Sequence, residues 1–107
     1  MADLFKALSD PTRLKIVNML TESQYLCVGV IAGKTGMSQP AISQHLKVLK
    51  SSGILDAKKM GPEVHYSLNH KKVAEFQKTF NALFSAKHGQ DCTECPKNVG
   101  KNKKTAK

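Results

Sequence analysis

Two groups of residues carry types and spacings that can do chemistry. The first is a run near the C-terminal end, His88, Cys92 and Cys95. A Cys-x2-Cys turn lets both sulfurs face one ion, and Gly89 and Pro96 favour a turn around the pair. Cys27 is a third thiol, set in the apolar stretch Tyr25 to Ala32. Three thiolates suit As(III) or Sb(III), whereas two or three thiolates with a histidine suit Zn(II) or another thiophilic divalent ion. The same dithiol can instead close to a reversible disulfide and report oxidants. Plainer readings exist: Cys27 as a small core residue, and His88 as a helix-end residue interacting with the dipole.

The second group is central. Ser38-Gln39-Pro40-Ala41 is followed by Ile42 and then Ser43-Gln44-His45. Amide side chains can bond adenine bidentately, and hydroxyls serve base edges as donor or acceptor. No acidic residue lies between Thr35 and Lys50, where a carboxylate would repel phosphate. Lys58 and Lys59 precede Gly61-Pro62 and suit phosphate oxygens, which give affinity without sequence information. Here too a plainer reading exists. Ser38 caps a helix, Gln39 and Gln44 meet solvent, and the lysines protect a sheet edge.

The charge is placed to match the central group. The chain has 107 residues, 17 basic against 8 acidic, a formal net charge of +9. Residues 1–33 sum to zero; residues 34–72 carry seven lysines against Asp56 and Glu63, a net of +5. Residues 87–107 carry six lysines against Asp91 and Glu94, a net of +4. A local basic surplus beside neutral helices fits a polyanion-binding face.

The length allows one domain and a small core. Hydrophobic content of 40% is enough to fold. The longest apolar stretch falls far short of the roughly 18 residues needed to span a bilayer. The opening Met1-Ala2-Asp3 does not read as a signal peptide, and three cysteines are too few for a disulfide scaffold. The expected location is therefore cytoplasmic, with thiols reduced at rest. There is no Gly-rich phosphate loop and no plausible Ser/His/Asp set, so an enzyme is not expected.

The elements that must position these residues follow from local signals. Asp10-Pro11 predicts a helix start, with Leu14, Val17, Met19 and Leu20 as its apolar face and Ile16 alongside. Leu4, Phe5 and Leu8 predict a short preceding helix on the same core. A helix is expected from about Leu26 to Lys34, stopping near Gly36. Ser38 caps the next, with Pro40 in its first turn and Ile42, Leu46 and Leu49 facing inward; Ser51-Ser52-Gly53 ends it. Ile54 to Met60 and Glu63 to Leu68 predict a hairpin around Gly61-Pro62, with Val64, Tyr66 and Leu68 alternating inward. Val73, Phe76, Phe80, Leu83 and Phe84 mark a last helix from about His70 to Lys87. The expected division is a domain over residues 1–88 and a Cys-containing, Lys-rich, largely disordered tail over 89–107.

A short helix, a Gly-containing turn and a capped helix form a helix-turn-helix pattern, and the hairpin makes it winged. Ala7-Leu8-Ser9-Asp10-Pro11-Thr12-Arg13-Leu14 resembles the opening of ArsR/SmtB-type winged-helix repressors. So does the run Met37-Ser38-Gln39-Pro40-Ala41-Ile42-Ser43-Gln44-His45-Leu46-Lys47-Val48-Leu49, followed by Ser52-Gly53-Ile54-Leu55. The resemblance covers Leu4 to Leu68 closely, follows the last helix by pattern and does not reach the tail.

The resemblance implies a mainly α, homodimeric winged helix-turn-helix on an imperfect palindrome of double-stranded DNA, repressing until an effector binds. By this match Ser38, Gln39, Ser43, Gln44, His45 and Lys47 lie on or near the DNA-facing helix, and Lys58 and Lys59 on the wing. So small a domain cannot bury Phe5, Phe76, Phe80 and Phe84 alone, which fits a dimer whose recognition helices sit about 34 Å apart.

The family's thiolate motif, Glu-Leu-Cys-Val-Cys-Asp-Leu, is matched by Tyr25-Leu26-Cys27-Val28-Gly29-Val30-Ile31, so the second thiolate is replaced by Gly29. A second family site on the last helix is also unmatched, since His70 is accompanied by Lys72, Leu83 and Ala86. The expected effector site is therefore Cys92 and Cys95, with Cys27 from the same or the partner subunit, and His88. Remaining alternatives are a thiol-redox repressor, a winged helix that binds protein alone, and an architectural DNA binder without effector. The Lys-rich tail either adds affinity along the DNA backbone or is a solvated end.

Overall fold

The computed structural model describes residues 2–85. The expected boundary at residue 88, the tail, and with them His88, Cys92 and Cys95 lie outside the described residues. The elements run α1 (Ala2–Ala7), α2 (Pro11–Thr21), β1 (Leu26–Cys27), α3 (Val28–Thr35), α4 (Gln39–Ser51), β2 (Leu55–Met60), β3 (Glu63–Leu68) and α5 (His70–Phe84).

α2 begins as its sequence requires. The Asp10 carboxylate accepts from the backbone N–H groups of Thr12 and Arg13 at 2.8 and 3.1 Å, and Pro11 takes the first helical position. These two bonds, the Arg13 one foremost, hold the Asp10 carboxyl below its ordinary pKa, assisted by the charges of His45 and Arg13.

The inward stripe of α2 differs from the expectation. Ile16 and Leu20, four residues apart, are buried, while Leu14 is 51% exposed. One core joins Leu4 and Ala7 of α1 to Ile16, Leu20, Ile31, Ile42, Leu46, Leu49, Ile54, Leu55 and Leu68. Phe5 departs from this set, because its ring packs on Phe76, centroids 5.1 Å apart, rather than into the core.

The sheet is antiparallel and three-stranded, in the order β1-β3-β2. The hairpin stands as expected, with Met60 opposite Glu63 and Leu55 opposite Leu68. Gly61, at φ 68°, makes the left-handed turn between the arms. Burial along β3 grows toward its base rather than alternating: Glu63 and Val64 are exposed, Tyr66 is half-buried and Leu68 is buried. A wing tip projecting from the body has no layer to cover either face.

The third strand corrects the expected helix from Leu26 to Lys34. Leu26 and Cys27 are extended and pair with Tyr66 and His65, so the helix starts at Val28. The last helix also ends earlier than expected, at Phe84, with Ser85 outside helical geometry. Asn69 caps its start, accepting from the Lys72 N–H at 3.0 Å.

Candidate nucleic-acid interface

The turn between α3 and α4 sets the angle of the central helix. α3 closes on Gly36, at φ 74°, whose N–H reaches the Ala32 carbonyl at 2.9 Å. That conformation is strained for most side chains, so glycine is strongly favoured there. Thr35 Oγ1 donates to the Ile31 carbonyl at 2.9 Å and accepts from the Met37 N–H at 3.3 Å, fixing the loop. Ser38 Oγ then accepts from the Ala41 N–H at 3.2 Å, and Pro40 sits in the first turn, where its missing donor costs nothing.

α4 has two contrasting faces. Ile42, Leu46 and Leu49 are fully buried at 0% exposure. Gln39, Ser43, Gln44 and Lys47 are exposed on the other side. Gln39, Ser43 and Lys47 form one row at four-residue spacing, a ridge of amide, hydroxyl and ammonium groups on a rigidly anchored rod.

His45 is placed differently from its neighbours. Its side chain is 19% exposed, with Nδ1 3.9 Å from Asp10 Oδ2 and 3.3 Å from Arg13 Nη1. Arg13 also donates through Nε to the Ala7 carbonyl. Asp10, Arg13 and His45 thus tie the end of α1, the start of α2 and the middle of α4 together. The family resemblance places His45 on or near the DNA-facing helix, and it does lie on α4, with its side chain turned toward Asp10 and Arg13. A signal was present in the spacing, since His45 adjoins inward Leu46 and lies three residues from inward Ile42.

Lys58 and Lys59 are exposed on β2, opposite His65 and Val64 of β3. The wing is braced at its side: the Tyr25 ring stacks on His65, centroids 4.8 Å apart and planes 15° apart. His65 also meets Met60 at 2.7 Å and Glu63 at 3.9 Å. Sequence reasoning did not find this brace, because Tyr25 reaches His65 only through the β1–β3 pairing.

Cys27 stands at the end of β1 and precedes α3, half-buried. It lines a shallow cleft of about 300 Å³ with Gly29, Gln39 and Tyr66. Among the described residues no group of three His, Cys, Asp or Glu side chains is placed to hold a metal. No helix among them is long and apolar enough to cross a membrane.

A capped helix-turn-helix whose second helix shows a polar, acid-free ridge beside a lysine-bearing hairpin defines a winged-helix DNA-binding protein. The comparisons specify it further. Residues 10–57 match the model of the bacterial regulatory protein, arsR family. The chain is 40% identical over 82 residues to an uncharacterized HTH-type transcriptional regulator of Methanocaldococcus jannaschii, covering 77% of this chain and 92% of that protein. It is 48% identical over 66 residues to the arsenical resistance operon repressor of Escherichia coli, covering 62% of this chain and 56% of that protein.

Among solved structures, a possible transcriptional regulator for arsenical resistance superposes with a TM-score of 0.70 at 29% identity, over 80% of this chain and 88% of the other. A homodimeric winged helix-turn-helix DNA-binding domain from Mycobacterium bovis superposes with a TM-score of 0.65 at 28% identity, over 85% and 86%. The chain belongs to the ArsR family of transcriptional repressors. Members of that family are DNA-binding regulators, not enzymes.

Proposed function

We propose that this chain is a homodimeric repressor that binds an imperfect palindrome through α4 and the wing and leaves it when a thiophilic effector binds. The observation that carries the DNA reading is the exposed ridge of α4. Gln39, Ser43, Gln44 and Lys47 stand on a helix whose opposite face is fully buried. In this reading Gln39, Ser43 and Gln44 meet base edges, Ser38 sets the helix start, and Lys47, Lys58 and Lys59 meet phosphates. His45 orients α4 through Arg13 and Asp10.

The dimer reading rests on α5. None of its residues is buried, and Phe80, Leu83 and Phe84 are 44%, 61% and 72% exposed. The rings of Phe5, Phe76, Phe80 and Phe84 form one aromatic strip across α1 and α5, each in contact with the next at 5.0 to 6.1 Å between centroids. A second copy would cover it. The M. bovis neighbour, named as homodimeric, supports this reading.

The effector reading rests on the thiols. Cys92 and Cys95 supply two close donors, with His88 and Cys27 as further ligands. As(III) or Sb(III) fits a thiolate set, and Zn(II) a mixed one. Relatives named for arsenical and cadmium resistance support a thiophilic ion. A redox-responsive repressor is the second reading, favoured by the likeness to a structure named reduced HlyU from Vibrio cholerae, with a TM-score of 0.63 at 30% identity.

The test is fluorescence anisotropy of the reduced protein on duplex DNA at fixed salt, with As(III), Zn(II) or an oxidant added in turn. The expected result is release by As(III) that disappears when Cys92→Ser and Cys95→Ser are combined, while DNA affinity without effector stays unchanged. Release by oxidant alone would move the assignment to the redox reading. Undiminished release from the double variant would remove both cysteines from the effector site.

A further inference from the structure

The first 33 residues sum to zero charge, so the linear sequence assigns α1 no part in binding a polyanion. Folding changes that balance locally. α1 packs against α4, and a cleft of about 530 Å³ opens between them. Lys6 of α1 and Lys47 of α4 stand on its walls, with Arg13 and Ser51 beside them and Asp3 as the opposing charge.

The cations in the cleft are not equivalent. Arg13 is engaged, donating to the Ala7 carbonyl and lying with Nη1 3.3 Å from His45 Nδ1. Neither Lys6 nor Lys47 makes an ion pair among the described residues. Lys47 and Ser51 continue the row begun by Gln39 and Ser43, toward the C-terminal end of α4. In helix-turn-helix docking the N-terminal part of the recognition helix reads bases, whereas its C-terminal end can meet the backbone. The cleft lies at that end, with three basic groups against one carboxylate. Its open shape admits a phosphate group still joined to a strand.

We propose that Lys6 and Lys47 together seat one phosphate of the DNA backbone in this cleft, so that α1 contributes a contact flanking the bases read by α4. The proposal rests on the DNA reading given above and adds a residue from the neutral segment to it. Asp3 opposes the same phosphate and keeps the contact from becoming indiscriminately tight.

The experiment measures anisotropy of the full chain on two duplexes, one selected by the chain from a random pool and one unrelated, over a series of salt concentrations. Lys6→Gln removes the contact from both subunits of the proposed dimer, so it is expected to weaken both duplexes by about twenty-fivefold, about fivefold per subunit, and to reduce the log–log salt slope by about 1.8, one phosphate contact per subunit. The ratio of specific to non-specific affinity stays unchanged, because a phosphate contact carries no sequence information. Asp3→Asn is expected to tighten both duplexes. Circular dichroism of each variant separates these effects from loss of α1; if Lys6→Gln loosens the helix, Asp3→Asn decides the matter.

An unchanged slope in Lys6→Gln, with the parent chain still steeply salt-dependent, would overturn the proposal and leave the DNA reading standing. Salt-independent binding by the parent chain would overturn both. Inorganic phosphate at matched ionic strength is the remaining arm. If it saturates the cleft, seen as shifts of Lys6 and Ser51 resonances, and abolishes the difference between parent and Lys6→Gln, the cleft takes free anions and the backbone assignment fails.

Discussion

α4 and α5 have comparable amphipathic patterns in sequence, yet the fold treats them in opposite ways. The apolar side of α4 is closed off, with Ile42, Leu46 and Leu49 at 0% exposure. The apolar side of α5 is open; none of its residues is buried and Phe84 is 72% exposed. The difference teaches that an apolar stripe reports the need for a partner, not which chain supplies it. α4 finds its partners in α1, α2, α3 and the sheet, which makes it a fixed platform for side chains facing outward. α5 finds too few within one subunit, which leaves its stripe open and available to the proposed dimer.

The largest effect expected from this contrast is on α4. Leu46→Ala should cost about 2–5 kcal/mol of folding stability, because the emptied volume lies at the centre of the core. Denaturant unfolding at fixed protein concentration measures it. A loss near zero would mean that α4 is not anchored as described.

Phe80→Ser should act the other way. Phe80 is already half-covered by its aromatic neighbours, so each subunit should lose roughly 1 kcal/mol of interface burial. In the proposed dimer the two-fold axis counts that loss twice, an expected weakening of about thirtyfold. Sedimentation across a dilution series reads the shift, and secondary structure should survive. A dimer of undiminished strength would place the interface elsewhere.

A smaller effect concerns the tie between α2 and α4. The Asp10 carboxyl is held below its ordinary value of 3.8, chiefly by the Arg13 N–H and also by the Thr12 N–H. Its stabilising contribution is therefore complete above that ordinary value and is lost as pH falls through the lowered one. Asp10→Asn keeps a capping side chain but removes the titration. The melting temperature of the parent should drop more steeply than that of the variant as pH falls below the ordinary value of 3.8. Parallel curves would show that the cap carries no such linkage.

The same contrast explains what was legible in the sequence. α4 was readable because its signals are local: Ser38 as cap, Pro40 in the first turn, Ile42, Leu46 and Leu49 at helical spacing. The hairpin was readable for the same reason, through Gly61-Pro62 and its flanking arms. β1 was not, because two residues become a strand only when Tyr66 and His65 arrive to pair with them. Leu14 and Ile16 are both apolar, and the packing of α4 and the sheet decides which turns inward. The sequence places His45 on or near the DNA-facing helix but does not show that Arg13 and Asp10 lie beside it. Lys6 lies in a segment with no net charge, and only the packing of α1 on α4 brings it to Lys47. Each of these was set by contacts between distant parts of the chain, which residue type and spacing do not encode singly.

The most direct test of the account is the specificity of the parent chain and of a Gln39→Ala, Gln44→Ala double variant, each measured on the selected duplex and on an unrelated one at one salt concentration. If the ridge of α4 reads bases, the double variant should lose about 1–3 kcal/mol of discrimination per amide that makes a bidentate contact, while its affinity for the unrelated duplex stays the same. An unchanged ratio between the two duplexes would contradict the assignment of α4 as the sequence-reading element.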